Sequence, residues 1–155
     1  MKSILFVCTG NTCRSCMAEG ILKDILKDKQ DEVKIGSVGL FVGISKKASK
    51  NAIDVLKNEW DIDITNHKPR QLEKSDIEQF DLILTMTKVH KYAILNSYKE
   101  ALGKVFTLKE YVKFSNINKD IIDPYGGSYE DYRLCANEIR DCILKLVEMQ
   151  KGDLS

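Results

Sequence analysis

Between an apolar run and an amphipathic one lies Cys8-Thr9-Gly10-Asn11-Thr12-Cys13-Arg14-Ser15. A loop of this composition between a strand and a helix can turn successive backbone N–H groups inward. The helix N-terminus behind it adds a favourable field for an anion. The guest that fits is a phosphate-like oxyanion, held by Thr9, Gly10, Asn11, Thr12, Cys13, Arg14 and Ser15. Cys8, at the strand end, lies under those donors, and the same field favours its thiolate, the nucleophilic form. Arg14 closes the cradle, because its planar fork can take two oxygens of a tetrahedral anion at once. Ser15 is placed to donate its hydroxyl to the Cys8 sulfur and to cap the helix. The Cys-x5-Arg spacing alone is a weak signal; its position between a buried strand and an amphipathic helix strengthens it.

Other readings of the cysteines stand beside this one. Cys8 could be a small core residue. Cys13 could equally be packed, or close enough to Cys8 to form a disulfide that shields the nucleophile from over-oxidation. Cys13 and Cys16 have the spacing of a thiol redox pair or of half a zinc site. No second Cys or His pair at ligand spacing exists, so no metal is expected. Cys135 and Cys142, seven apart on one helical face, read as core residues.

A thiolate attacking phosphorus expels a leaving group that needs a proton. The candidate donor is Asp123, in Asp123-Pro124-Tyr125-Gly126-Gly127. Pro124 pushes Asp123 out of the helical region, and the glycines let the chain approach a ligand. Asp-Pro is also a common turn, and beside the Cys8 loop the catalytic reading is preferred. Tyr125 could stack on a planar substrate group or be a partly buried loop aromatic. His67 and His90 lie in no loop with other catalytic residue types, and structural or surface roles are expected for both.

The elements that must position these residues follow from hydrophobic patterning. Apolar runs at residues 4–7, 82–84 and 105–108, with a looser one at 33–38, suit strands buried on both faces of a parallel sheet. Helical periods mark residues 15–29, a second helix bearing Ala48, Ala52, Val55, Leu56 and Trp60, a shorter one at 88–97, and a last one from Tyr132 to beyond Val147. Residues 61–74 read as an extended connection and 114–128 as a long loop. The alternation predicts an α/β fold with four parallel strands and right-handed crossovers. Its ligand site lies outside the strands' carboxyl ends, where the Cys8 loop falls.

The chain has 155 residues, 24 Lys+Arg against 23 Asp+Glu, and a formal charge of +1. This suits a single domain over residues 1–155. Mean hydropathy of −0.26 argues against disorder. No apolar run is long enough to cross a membrane and none at the start resembles a signal peptide, so a cytoplasmic protein is expected. A near-neutral charge without a basic block argues against nucleic acid or a membrane surface as partner.

Residues 7–15 together with Asp123-Pro124 resemble the low-molecular-weight protein tyrosine phosphatase family. The likeness runs nearly the whole chain, including Met17-Ala18-Glu19, Asn66-His67, residues 81–87 and residues 105–112. It implies a four-stranded parallel sheet in the order 2-1-3-4 with helices on both faces, and a phosphate-binding loop after the first strand. It implies no cofactor and a two-step mechanism on phosphorylated protein substrates, by a monomer. Cys8 becomes a phosphocysteine, Arg14 binds the phosphoryl oxygens, and Asp123 protonates the leaving group and then activates water. Within the family, Thr12 and the Asp123 to Ser128 segment are similar to the protein arginine phosphatase branch of Gram-positive bacteria, where tyrosine-directed members carry an aliphatic residue at the position of Thr12. A hydroxyl there keeps the site floor polar, whereas a branched alkyl group would crowd a guanidinium-linked phosphate. Thr12 and Tyr125 are thus the expected specificity residues, and Cys8 with Cys13 the expected redox pair. The expectation is a phosphoarginine phosphatase; the alternatives are a phosphotyrosine phosphatase and, further off, an arsenate reductase or a thiol redox protein. Related arsenate reductases carry two further cysteines in and after the third strand, where this chain has Thr85-Met86-Thr87-Lys88-Val89-His90. Cys16 departs from the family, which has Pro there, and puts the redox behaviour in question.

Overall fold

Strand β1 (Ser3–Cys8) is buried along its whole length, because it runs between two parallel neighbours with helices over both faces. The structure is a computed structural model that describes residues 3–29, 31–114 and 117–154. β2 (Lys34–Gly39), β3 (Leu82–Thr85) and β4 (Val105–Thr107) complete a parallel sheet in the order β2-β1-β3-β4, as the family resemblance implied. Ile4, Phe6 and Cys8 point to one face of β1 and Leu5 and Val7 to the other, the period-2 alternation of a strand.

The first face packs on α1 (Arg14–Ile25), α2 (Lys50–Trp60) and the long α6 (Tyr129–Leu154). In α6 the residues Tyr132, Cys135, Ala136, Ile139, Cys142, Ile143, Leu146 and Val147 are all buried, the stripe read from the sequence. The second face packs on α3 (Lys74–Gln79) and α4 (Lys88–Ser97), through Ile77, Phe80 and Ile94. Among the described residues no helix is long and apolar enough to cross a membrane.

Three local expectations are corrected. The first helix ends at Ile25, and a single 3-10 turn, Lys27–Lys29, follows it. Leu108 leaves the strand: the Thr107 hydroxyl accepts from Glu110 N while Glu110 accepts from Thr107 N, and this reciprocal cap starts the one-turn α5 (Leu108–Tyr111). Residues 62–73 form the expected connection, with a turn at 65–66, but Lys74 already opens the helix α3, which was not expected. It is fixed by a Glu73/Asp76 cap, with Arg70 gripping Asp76 through its two terminal guanidinium nitrogens at 3.0 and 2.8 Å. Residues 115 and 116 of the expected loop at 114–128 lie outside the described residues.

In register, Cys8 stands opposite Gly39, and Val7 opposite both Val38 and Thr85. The carboxyl ends of the strands therefore converge on one edge. There Met86 N donates to Val7 O, and Ile121 N donates to Met86 O at 2.8 Å. These bonds bring the segment before Asp123 to the end of β1.

Candidate active site

Cys8 ends β1 at 3% exposure, and Arg14 begins α1 at 4%. The loop between them is fastened on several sides. Leu40 N donates to Cys8 O, Phe41 N to Thr9 O and Ser49 N to Thr12 O, at 2.8 to 3.1 Å. Gly39 is forced by this closeness: a Cβ there would lie 2.6 Å from Thr9 O and 3.0 Å from Asn11 N. Gly39→Ala is therefore expected to push the loop's own backbone aside. It should lower kcat/KM by roughly 100-fold, since small misplacements of reacting groups are that costly. The accompanying stability loss should stay within the ~1–3 kcal/mol typical of overpacking. Steady-state kinetics beside a thermal melt check this.

Asn11 takes a left-handed turn, φ +58, a region Asn tolerates better than most residues. Its fully buried side chain works beneath the loop. The amide donates to Ser15 Oγ (2.8 Å) and Ser37 Oγ (2.9 Å), and its oxygen accepts from Arg70 N (3.0 Å). Ser37 in turn donates to Glu19 Oε1. The His67 Nε2–H donates to Asn11 O at 2.7 Å, which fixes the tautomer of that ring. Because Asn11 donates to Ser15 Oγ, the single Ser15 hydrogen can turn to Cys8 Sγ, 2.9 Å away, in preference to the more distant Val38 O at 3.4 Å. Ser15 does not cap α1 as expected: Cys13 occupies the N-cap with no side-chain cap bond, and Ser15 lies inside the first turn.

Cys8, Thr9, Gly10, Thr12, Cys13, Arg14, Asp123 and Tyr125 line one pocket of about 440 Å³. Asn11 and Ser15 do not line it; their side chains hold it from below. Arg14 Nη1 donates to Ile121 O at 2.9 Å, and Nη2 lies 3.5 Å from Asp123 Oδ2. Asp123 is half exposed, and its Oδ1 accepts from Tyr125 N in an Asx turn. Gly126, at φ +78, occupies the region that glycine favours and lets the segment fold back. The mouth carries three apolar side chains, Phe41, Ile44 and Tyr125, exposed by 77%, 99% and 77%. Tyr125 thus stands at the rim and not in the core.

The other thiols divide. Cys13 Sγ lies 3.3 Å from the Tyr132 hydroxyl, whose pKa is pushed up to about 12 by burial and by that contact. Cys16 donates to Cys13 O and is buried; burial first, then the neighbouring thiols and Glu19, raise its pKa well above the ordinary thiol range. It therefore resists ionisation and is a poor redox partner. Burial likewise pushes Cys135 and Cys142 up to about 12, as suits core residues.

Sequence reasoning missed four contributors. Phe41 and Ile44 reach the mouth from the loop after β2. Both histidines touch the loop: His67 through Asn11, and His90 through a 2.9 Å contact between its Nε2 and Thr9 Oγ1. The sequence signal for His90 was its place three residues after the helix-capping Thr87, at the carboxyl end of β3.

The model of one protein family, described as low molecular weight phosphotyrosine protein phosphatase, matches residues 3–154. A protein-arginine-phosphatase of Bacillus subtilis is 39% identical over 150 residues, 97% of each chain. A low molecular weight protein-tyrosine-phosphatase of Staphylococcus aureus is 38% identical over 146 residues, 94% of this chain and 97% of its own. A solved structure of an arginine phosphatase, in a Cys-to-Ser form with a phosphorylated active-site serine, superposes with a TM-score of 0.90 at 37% identity, covering 97% of both chains.

Proposed function

The chain belongs to the low molecular weight phosphotyrosine protein phosphatase family, and from that premise we propose that it hydrolyses phosphoarginine in proteins through a phosphocysteine on Cys8. The observation that carries this reading is that Thr12 and Asp123 both line the Cys8 pocket. Phosphoarginine brings a cationic or proton-accepting guanidine next to the phosphorus, which a carboxylate and a hydroxyl complement and a phenyl ring does not.

In the first step the phosphoryl group enters with its oxygens toward the backbone N–H groups of the loop. The incoming dianion competes with Asp123 for the Arg14 fork, which grips two oxygens as charge builds on them. Cys8 Sγ attacks phosphorus; the S–P bond forms, the P–N bond breaks, and Asp123, which enters this step protonated once substrate displaces it from Arg14, hands its proton to the departing guanidine nitrogen and is left as the carboxylate. The Ser15 hydroxyl, 2.9 Å from the sulfur, stabilises Cys8 as a thiolate before attack and as a leaving group afterwards. In the second step Asp123 takes a proton from water, the water oxygen attacks phosphorus, and the S–P bond breaks to return the thiolate and inorganic phosphate. Under peroxide, Cys8 and Cys13 would join as a disulfide, each thiol giving up a proton and an electron while the peroxide leaves as water. The enzyme acts in this reading as a single-domain monomer in the cytoplasm, without nucleic acid or membrane as partner.

Thr12→Ile tests the substrate assignment. It should lower the ratio of kcat/KM on phosphoarginine to that on phosphotyrosine by about 10-fold or more. An unchanged ratio would remove Thr12 from the specificity determinants. A second reading, phosphotyrosine hydrolysis, is favoured by the apolar rim of Phe41, Ile44 and Tyr125, which could flank a phenyl ring. Truncating Phe41 to Ala separates the two, because it should impair an aryl substrate more than a guanidino one.

A further inference from the structure

His90 is a polar side chain at 5% exposure, delivered by the first turn of α4 to the loop on the far side of β3. Thr87 accepts from His90 N at 3.2 Å, so the helix cap sets where the ring goes. Its Nε2 lies 2.9 Å from Thr9 Oγ1, whereas its Nδ1 is buried and has no partner among the described residues.

That asymmetry decides which way the Thr9 hydroxyl points. Burial first, then the positive charge of Arg14, push the ring's pKa down to about 4, with Asp123 and Asp120 opposing more weakly. At neutral pH the ring thus carries one hydrogen. A hydrogen on Nδ1 would be a buried N–H with no partner among the described residues, a rarer state in proteins than an unpaired buried acceptor. A hydrogen on Nε2 leaves only a bare lone pair at Nδ1 and is spent on Thr9 Oγ1. Thr9 has a single hydroxyl hydrogen, which cannot then point at His90. Thr9 is exposed, lines the pocket beside Cys8, and has its carbonyl held by Phe41 N.

Resting on the phosphatase reading, we propose that His90 is a positioning residue: it donates Nε2–H to Thr9 Oγ1 and so turns the Thr9 hydroxyl hydrogen toward the phosphoryl oxygens bound over Cys8. Thr9 thereby adds a side-chain donor to a cradle otherwise made of backbone N–H groups and Arg14.

The test is a double-mutant cycle on a generic aryl phosphate, with inorganic phosphate as inhibitor. Thr9→Val and His90→Leu should each lower kcat/KM about 10-fold, the usual worth of one hydrogen bond to a charged group. The inhibition constant of inorganic phosphate should rise by a similar factor in both. The double variant should be no worse than either single one, since both remove the same donor. His90→Gln, whose amide nitrogen can reach the position of Nε2, should recover most of the loss. Should His90→Leu fail to fold, His90→Asn, whose amide stops short of Thr9, takes its place. Losses that multiply to about 100-fold in the double variant, or a Thr9→Val protein within twofold of the parent, would overturn the inference while leaving the phosphatase reading intact. A parent chain that cleaves no phosphate ester would overturn both.

Discussion

Cys8→Ser is expected to lose kcat on phosphoarginine peptides by roughly 10⁴- to 10⁶-fold, the scale on which removing a nucleophile acts in enzymes whose groups work as a unit. The loss should be confined to chemistry. Serine is close to cysteine in size, and the Ser15 hydroxyl that faces the sulfur at 2.9 Å can face an oxygen as well. Asn11, His67 and Arg70 hold the loop through hydrogen bonds that do not involve Cys8, so the cradle should persist. A hydroxyl in that place is un-ionised, and among the described residues the side chain that hydrogen-bonds to position 8 is the Ser15 hydroxyl, which is no base. Titration with inorganic phosphate should give affinity within a few-fold of the parent, and the melting temperature should barely move. Turnover within about 10-fold of the parent would remove Cys8 from the nucleophile's role.

Asp123→Asn should lower kcat by about 10² to 10⁴, the usual worth of a positioned general acid. The size of the loss should depend on the leaving group. A guanidine nitrogen or a tyrosine oxygen needs the proton, whereas a nitrophenolate leaves without one, so the variant should be hurt least on the activated ester. Binding should not suffer, since Asp123 Oδ2 lies 3.5 Å from Arg14 Nη2 and competes with substrate for the guanidinium. The Asn side chain can still accept from Tyr125 N and keep the turn. Rapid-mixing measurements with both esters check this; an equal loss on both would point to a role for Asp123 in placing Arg14 and not in proton transfer.

How far the sequence could be read follows from which interactions are local. β1, β3 and β4 were legible because strands buried on both faces leave short unbroken apolar runs, and α6 because its buried stripe repeats at helical spacing. The Cys8 loop was legible because its residue types are adjacent in the chain. α3 was not, since only Ile77 among its six residues belongs to the apolar core, and its sole local signal is the Glu73/Asp76 cap. Leu108 was drawn into the preceding run because hydropathy cannot see a cap made by Thr107 and Glu110. The contacts beneath the loop were hidden for a different reason. Asn11 meets Ser37, His67 and Arg70 only because parallel pairing brings the ends of β1 and β2 side by side, with the chain near Arg70 bonded to Gly39. For His90 a structural or surface role was expected, and its place at the loop stayed hidden because no spacing relates it to Thr9; the β1–β3 pairing does.

The most direct test of the central claim is the ratio of kcat/KM on a phosphoarginine peptide to that on a phosphotyrosine peptide of the same flanking sequence, measured on the full chain under reducing conditions. A polar pocket wall of Thr12 and Asp123 around the Cys8 nucleophile predicts a preference for phosphoarginine of at least about 10-fold. A ratio below one would contradict it and return the chain to the tyrosine-directed members of its family.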